Sequence, residues 1–269
     1  MSISVLCSVR NGEEFLYEAL SSVLRQTFKD ICLIVVDDSS EDQTSQILKD
    51  LVSTDKRINV ISNSHCLGLT RSLNKALATV ATPWVARIDH DDVWHPEKLA
   101  RQMEFLSNNP DIGFLGTAYR EMDADGCNLR DSVLPVCQTD NEIRRALYRF
   151  NPFFHSSIMI DRKLVQGVGG YNERFLYAQD YELWVRLMNH TQAAILPEIL
   201  CYRRMGEGNI SVRKERAQRL NALKAKVLWA RLNGFRIDLL GPLMRDLVVL
   251  MSPDSFKKVV RSRLRSVGR

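Results

Sequence analysis

The sequence predicts an α/β fold, a Rossmann-like mixed central sheet covered by helices on both faces, with a C-terminal helical extension. Three observations predict it. Short apolar or β-branched runs alternate with segments of helical periodicity up to about Thr117. Two of those runs stop abruptly at aspartate-rich turns, Asp37-Asp38-Ser39-Ser40 and Asp89-His90-Asp91-Asp92. From Ser211 onward the pattern turns mostly helical and strongly basic.

Residues 3–9 are a short apolar strand, and the N-terminus reads as this strand rather than as a signal peptide, because it lacks a basic n-region and a cleavage site. Phe15, Leu16, Ala19, Leu20, Val23 and Leu24 then recur at helical spacing. A β-branched run at 31–36 is the second strand, and the following helix buries Ile47, Leu48, Leu51 and Val52, with Ser40 and Gln43 spaced as a capping box. A strand at 57–62, a helix at 68–80 and a strand at 84–88 continue the alternation, and Pro96 opens a helix through Leu106. Beyond Thr117 the spacing predicts a hairpin turn at Asp123-Ala124-Asp125-Gly126, a strand at 156–160 and a helix at 179–188. Short strands follow at 193–196 and 199–203. These elements divide the chain into a sheet-bearing unit at 1–210, in halves of about 1–117 and 118–210, and the extension at 211–269.

The composition is that of a soluble globular protein, 45% apolar and 26% charged. No run approaches the roughly 20 apolar residues that cross a bilayer. The six cysteines are scattered without a C-x-x-C pair or a histidine at zinc-ligand spacing, so neither a disulfide framework nor a zinc site is expected, and the cytoplasm is the natural compartment. Net charge is +5, but residues 203–269 alone carry +12, leaving −7 on the body. Within the tail, Phe256, Val259, Val260 and Leu264 form an apolar strip among Lys257, Lys258, Arg261, Arg263 and Arg265. Such a helix can lie on an anionic membrane surface, or pack on the body as a solvated helix. It lacks the interleaved aromatics and motifs of a nucleic-acid binder.

In an open α/β sheet, ligands bind beyond the carboxyl ends of the strands. Asp37 and Asp38 end one predicted strand, and Asp89 and Asp91 end another. Two carboxylates one residue apart can hold Mg²⁺ or Mn²⁺ with positions left open for phosphate oxygens. Aspartates also cap helices and fill loops. Taken singly, Asp37-Asp38 reads more readily that way, and Asp89-x-Asp91 is evenly balanced.

The order of the motifs is more specific. Ser8-Val9-Arg10-Asn11-Gly12-Glu13, Val35-Val36-Asp37-Asp38-Ser39-Ser40, Gly68-Leu69-Thr70-Arg71-Ser72-Leu73-Asn74, Arg87-Ile88-Asp89-His90-Asp91-Asp92-Val93-Trp94, Gly169-Gly170-Tyr171-Asn172-Glu173 and Gln179-Asp180-Tyr181-Glu182-Leu183-Trp184 occur in this order. Over about residues 1–210 the chain resembles the inverting family 2 glycosyltransferases, which have the GT-A nucleotide-diphospho-sugar transferase fold. The resemblance implies metal-dependent transfer of a sugar from a nucleotide sugar, UDP-linked, to a saccharide or lipid-linked acceptor in cell-surface polysaccharide or lipopolysaccharide synthesis. It implies that Ser8, Val9 and Arg10 line the nucleotide pocket, that Asp38 contacts the base with Asp37 shaping the pocket, and that Arg71 lies near base or phosphates. Asp89 would approach ribose or metal, Asp91 would coordinate Mn²⁺ or Mg²⁺, and Asp180 would be the general base.

A single-displacement transfer needs one carboxylate to accept the acceptor proton. A helix start at Gln179 would favour its ionised form, although a plain helix N-cap is the alternative reading. The family commonly has Glu before the base, and Gln179 in its place removes a like charge, which makes Asp180 less basic. His155 falls where relatives place a polar residue, and reads equally as a satisfied core histidine. The Q-x-x-R-W signature of polymerising relatives is absent from the sequence, which favours one sugar per encounter. A sugar nucleotidyltransferase would show a Gly-rich basic loop after the first strand, where this chain has Arg10-Asn11-Gly12-Glu13. A catalytically idle nucleotide-binding module of a synthase complex is the alternative from outside the enzymes.

Overall fold

The computed structural model describes residues 2–126, 137–206 and 214–234, with 241, 243, 244, 246 and 247 beyond them. β1 (Ile3–Val9) lies between β2 (Ile31–Asp37) and β4 (Trp84–Arg87), both parallel to it, and β3 (Ile58–Ser62) continues the parallel set outside β2. The connections carry α1 (Leu16–Leu24), α2 (Thr44–Thr54) and α3 (Leu69–Ala78). The chain then forms β5 (Val93–Trp94), α4 (Lys98–Asn108), β6 (Ile112–Met122) and α5 (Asp140–Ala146). After a 3-10 turn at His155–Ser157 come β7 (Met159–Asp161), α6 (Arg162–Gly167), α7 (Gln179–Leu187), β8 (Gln192–Arg204) and α8 (Glu215–Asn233). The eight strands form one sheet in the order β3-β2-β1-β4-β7-β6-β8-β5. β7 runs antiparallel to β4 and β6, so the sheet is mixed.

Side chains alternate faces along each strand, and the two faces feed two cores. Leu6, Ile34 and Val36 join residues of α3, α5, α7 and α8 on one side. Val5, Cys7, Leu33 and Val35 join residues of α1, α2 and α4 on the other. α8 lays Ala225, Trp229 and Ala230 into the first core, where the Trp229 indole N–H donates to the Arg144 carbonyl at 3.1 Å. No helix of the described residues is long and apolar enough to cross a membrane. The basic strip at 256–265 and any hairpin partner after Gly126 lie outside the described residues.

Four local expectations are corrected. Ser40 and Gln43 do not form a capping box. α2 starts at Thr44, and Ser40 instead accepts from the Asn11 N–H at 3.0 Å. Pro96 stands two residues ahead of α4 rather than in its first turn. Residues 155–157 form a 3-10 turn, and β7 starts only at Met159. The two short strands expected at 193–203 are one, β8, whose pairing with β6 shifts register around Pro197 because proline offers no N–H to the ladder. α6 was not expected; Asp161 caps it by accepting from the Lys163 N–H at 2.6 Å.

Candidate active site

The parallel strands β1, β2 and β4 end on one edge of the sheet, and their following loops are sewn together. The Gly12 N–H donates to Thr44 Oγ1 at 2.8 Å, Glu13 N–H to Asp42 at 3.0 Å, and Glu41 N–H to Asn11 Oδ1 at 2.8 Å. A Cβ at Gly12 would come within 2.5 Å of Val9 Cγ2 and 2.8 Å of the His90 ring, so a side chain there would force the close approach of the β1 and β4 loops to shift. Ser8 and Val9 are buried at the β1 end, and Arg10 emerges to pair with Glu41 at 3.3 Å.

Asp37 and Asp38 are both buried at the end of β2. Asp37 accepts from the Ser40 N–H and the Ser45 hydroxyl at 3.0 and 2.8 Å. Asp38 Oδ1 accepts from Asn63 and the Leu67 N–H, both at 2.8 Å, and Oδ2 from the Gly68 N–H at 2.8 Å and the Cys66 thiol at 3.4 Å. Burial alone would raise its pKa, but these donors outweigh burial and hold Asp38 ionised below the usual carboxylate range. Its four acceptor positions are thus taken, so a ligand donor must displace one of them, and the thiol is the weakest. Arg71, on α3, pairs with Glu173 at 3.1 Å across to the loop ahead of α7. Asn74 grips that loop through both backbone groups of Tyr171 at 2.8 Å.

After β4 the chain carries three carboxylates in four residues. Asp89 forms an ion pair with the buried Arg87 guanidinium, and its N–H donates to Ser156 Oγ at 2.9 Å. Burial opposes its ionisation, yet the Arg87 charge wins and holds Asp89 well below the usual range. The Ser156 hydroxyl donates to Asp92, whose other oxygen accepts from the Arg204 N–H at 3.1 Å. Arg204 reaches on to the Asp91 and Ala124 carbonyls at 3.0 and 2.6 Å and to Glu18 at 2.6 Å. One side chain at the end of β8 therefore ties this loop to α1 and to the turn after β6. Asp91 and Asp92 are pushed up, first by burial and then by the negative neighbours.

Asp180 is the second residue of α7, one place inside the helix, and Ala178 rather than Asp180 is the N-cap. Its Oδ2 accepts from Asn151 Nδ2 at 2.7 Å. Burial raises its pKa despite the Tyr181 N–H, Arg87 and Asn151, so desolvation outweighs the helix terminus expected to favour the charged form. Arg87 acts electrostatically on both Asp89 and Asp180, and the buried Tyr171 hydroxyl feels all three. His155 is a satisfied core histidine, its Nε2 2.8 Å from Tyr171 Oη, kept neutral by burial and then by Arg87. Among the described residues the three non-glycine positions with positive φ are Asn11, next to Arg10, Ser39, next to Asp38, and Ala178, two residues ahead of Asp180. Strain of this kind costs on the order of 1–3 kcal/mol per residue and concentrates at functional loops.

No three described His, Cys, Asp or Glu side chains form a complete metal cage. Mg²⁺ and Mn²⁺ need fewer, because one or two carboxylates plus phosphates and water complete their octahedron. Asp91 fits that demand. Its carboxylate meets no side-chain donor among the described residues, and burial and then the Asp89 charge oppose its ionisation more than His90 and Arg87 favour it.

A family model described as Glycosyl transferase family 2 matches residues 4–169, more than half of the chain. The chain belongs to glycosyl transferase family 2. An uncharacterized glycosyltransferase of Haemophilus influenzae is 28% identical over 97% of this family 2 chain and 84% of its own length. The UDP-Glc:alpha-D-GlcNAc-diphosphoundecaprenol beta-1,3-glucosyltransferase WfaP of Escherichia coli is 27% identical over 83% of this chain and 86% of its own. Among solved structures, Staphylococcus aureus TarS 1–349 in complex with UDP-GlcNAc has a TM-score of 0.72 at 18% identity, covering 93% of this chain and 73% of that one. Mannosyltransferase PcManGT of Pyrobaculum calidifontis, in complex with GDP-Man and Mn²⁺, has a TM-score of 0.65 at 18% identity, covering 92% and 69%. The GT-A fold is the fold of this chain.

Of the residues singled out from the sequence, Asp89, Asp91 and Asp180 lie within electrostatic reach of Arg87, while Ser8, Val9, Arg10, Asp37 and Asp38 stand at the neighbouring β1 and β2 ends. Arg71 is engaged by Glu173 at the rim. Ser156, Arg204 and Asn151 were missed as site residues. Each acts through a partner 29 to 112 positions away in the chain, and only a buried polar residue amid apolar neighbours hinted at any of them.

Proposed function

We propose that this family 2 chain is an inverting, non-processive transferase that moves a sugar from a UDP-sugar to an acceptor hydroxyl, in cell-surface polysaccharide or lipopolysaccharide synthesis. The observation that carries the reading is that the buried Arg87 guanidinium pairs with Asp89 and is within electrostatic reach of Asp180, with the Tyr171 hydroxyl in reach of all three. That closeness supports an acceptor-side base near a donor-side carboxylate cluster. In this reading the nucleoside lies at the β1 and β2 ends, against Ser8 to Arg10, Asp37 and Asp38, with Arg71 near the base or phosphates. Asp91, with Asp89 beside it, would hold a Mn²⁺ or Mg²⁺ ion. When bound, that ion supplies charge neutralisation for the departing diphosphate.

The remaining work belongs to the side chains. Arg87 holds Asp89 ionised, and Arg204 and Ser156 fix Asp91 and Asp92 in place. Asp180, raised by burial, accepts the proton of the attacking hydroxyl while that oxygen bonds to the anomeric carbon and the bond to the diphosphate breaks. The UDP-sugars named for WfaP and TarS support the donor class, and the lipid-linked acceptor named for WfaP supports the acceptor class. Contact of the C-terminal basic strip with the cytoplasmic face of a membrane belongs to the same reading and rests on the sequence.

Thermal-shift measurements with UDP, GDP and dTDP, each with and without Mn²⁺, should single out UDP with Mn²⁺ as the stabilising pair. Asp180→Asn should cut UDP release from the active UDP-sugar by roughly 10²–10⁴-fold while UDP binding stays unchanged. A variant that turns over like the wild type would refute the assignment of the base.

A further inference from the structure

Asp180 is held by a residue from another part of the chain. Asn151 donates from Nδ2 to Asp180 Oδ2 at 2.7 Å. Its own orientation is set, because Asn151 Oδ1 accepts from the Phe153 N–H at 3.1 Å, which leaves only the NH₂ end to face the carboxylate. Phe153 in turn is anchored. Its ring stacks on Phe114 at 4.1 Å and meets Trp184 edge-on at 6.1 Å, and Trp184 lies one turn beyond Asp180 on α7. Pro152 restricts the Asn151 backbone to extended conformations. The loop and α7 are therefore locked at two points, the aromatic contact and the Asn151–Asp180 hydrogen bond.

We propose that Asn151 is a positioning residue for the transfer reaction, holding one oxygen of Asp180 so that the other takes the acceptor proton. The proposal rests on the assignment of Asp180 as the base. Asn151 is the one side chain that hydrogen-bonds the Asp180 carboxylate among the described residues. The other groups bearing on Asp180 are Arg87 at the end of β4, Tyr171 ahead of α7, and the Tyr181 N–H and hydroxyl within α7. Of these Arg87 and the N–H favour the carboxylate. A donated hydrogen bond favours the ionised form as well as fixing the rotamer. Burial leaves Asp180 prone to protonation, so losing that bond should move its titration upward.

The test is a ¹³C NMR titration of full-length protein labelled at aspartate Cγ, with the Asp180 resonance identified by its loss in Asp180→Asn. Asn151→Ala should raise the Asp180 titration midpoint by about one pH unit. Asn151→Asp keeps the acceptor for Phe153 but sets a second carboxylate against the first. Such a pair shares a proton, so its upper midpoint should rise further still. The acid limb of UDP release from UDP-glucose, with water as acceptor, should move in the same order. A general loss of fold would lower the rate without moving the limb. A midpoint within about 0.3 unit of wild type in Asn151→Ala overturns the proposal. If Asp180→Asn is inactive while Asn151→Ala titrates like wild type, only the role of Asn151 falls. If Asp180→Asn releases UDP normally, the base assignment falls with it.

Discussion

Lys98 offers a direct measurement of what burial does in this fold. It is fully buried at the start of α4, with its ammonium 3.8 Å from the Trp94 ring centre and a 2.9 Å hydrogen bond to Gln102 Oε1. Burial lowers its pKa from 10.5 to about 7. The unfolded chain then binds the proton more tightly than the native state between those two values. Native stability is penalised in full below pH 7 and recovers as pH rises toward 10.5. Over pH 6 to 8.5 the recovery amounts to about 2 kcal/mol, since each unit beyond the native pKa contributes roughly 1.4 kcal/mol. Lys98→Met fills similar space without a charge and removes this term. Urea unfolding of both proteins across that range should give curves that converge by about 2 kcal/mol at the alkaline end. The constant offset also contains the lost partner of Gln102, so the slope is the quantity to read. Other groups contribute equally to both proteins and cancel. Curves that run parallel from pH 6 to 8.5 would refute the argument, because they would mean that Lys98 keeps its proton in the native state throughout.

Arg204→Lys removes the guanidinium bonds to the Asp91 carbonyl, Ala124 and Glu18 while keeping the positive charge. With the loop less well held, Mn²⁺ affinity in the presence of UDP should fall by about 10–100-fold, read by electron paramagnetic resonance of free Mn²⁺, and an unchanged titration would remove Arg204 from the site. Cys66 is exposed beside Asp38, with its thiol 3.4 Å from the carboxylate. UDP with Mn²⁺ should slow its alkylation by iodoacetamide at least about tenfold, the occupancy expected at roughly ten times Kd, as quantified by peptide mass spectrometry. Equal labelling with and without UDP would place the nucleoside elsewhere.

Reading depended on range. β1, β2 and β3 were legible because short apolar or β-branched runs bounded by turn residues have few other solutions. The strand-end placement of Asp37, Asp38, Asp89 and Asp91 was legible because each follows directly on an apolar run. Two of the local errors share one cause, competition from distant partners. Ser40 had the spacing of a cap but is drawn to the Asn11 N–H, and residues 156 and 157 had a strand pattern but bend into a 3-10 turn. There Trp94 and Gln102 donate to the Ser156 and Ser157 carbonyls at 2.8 and 2.9 Å.

The sequence by itself determined the class of sheet and the strand ends at which its aspartates collect, since periodicity and strand-terminal aspartates are local properties. Tertiary structure alone decided which carboxylates are charged and which are held. Arg87 keeps Asp89 ionised while desolvation lifts Asp91, Asp92 and Asp180. Hydrogen bonds from Ser156, Arg204 and Asn151 arrive across 29 to 112 residues of chain. Proton affinity depends on the solvent and charges that surround a group after folding, and no window of neighbouring residues contains them.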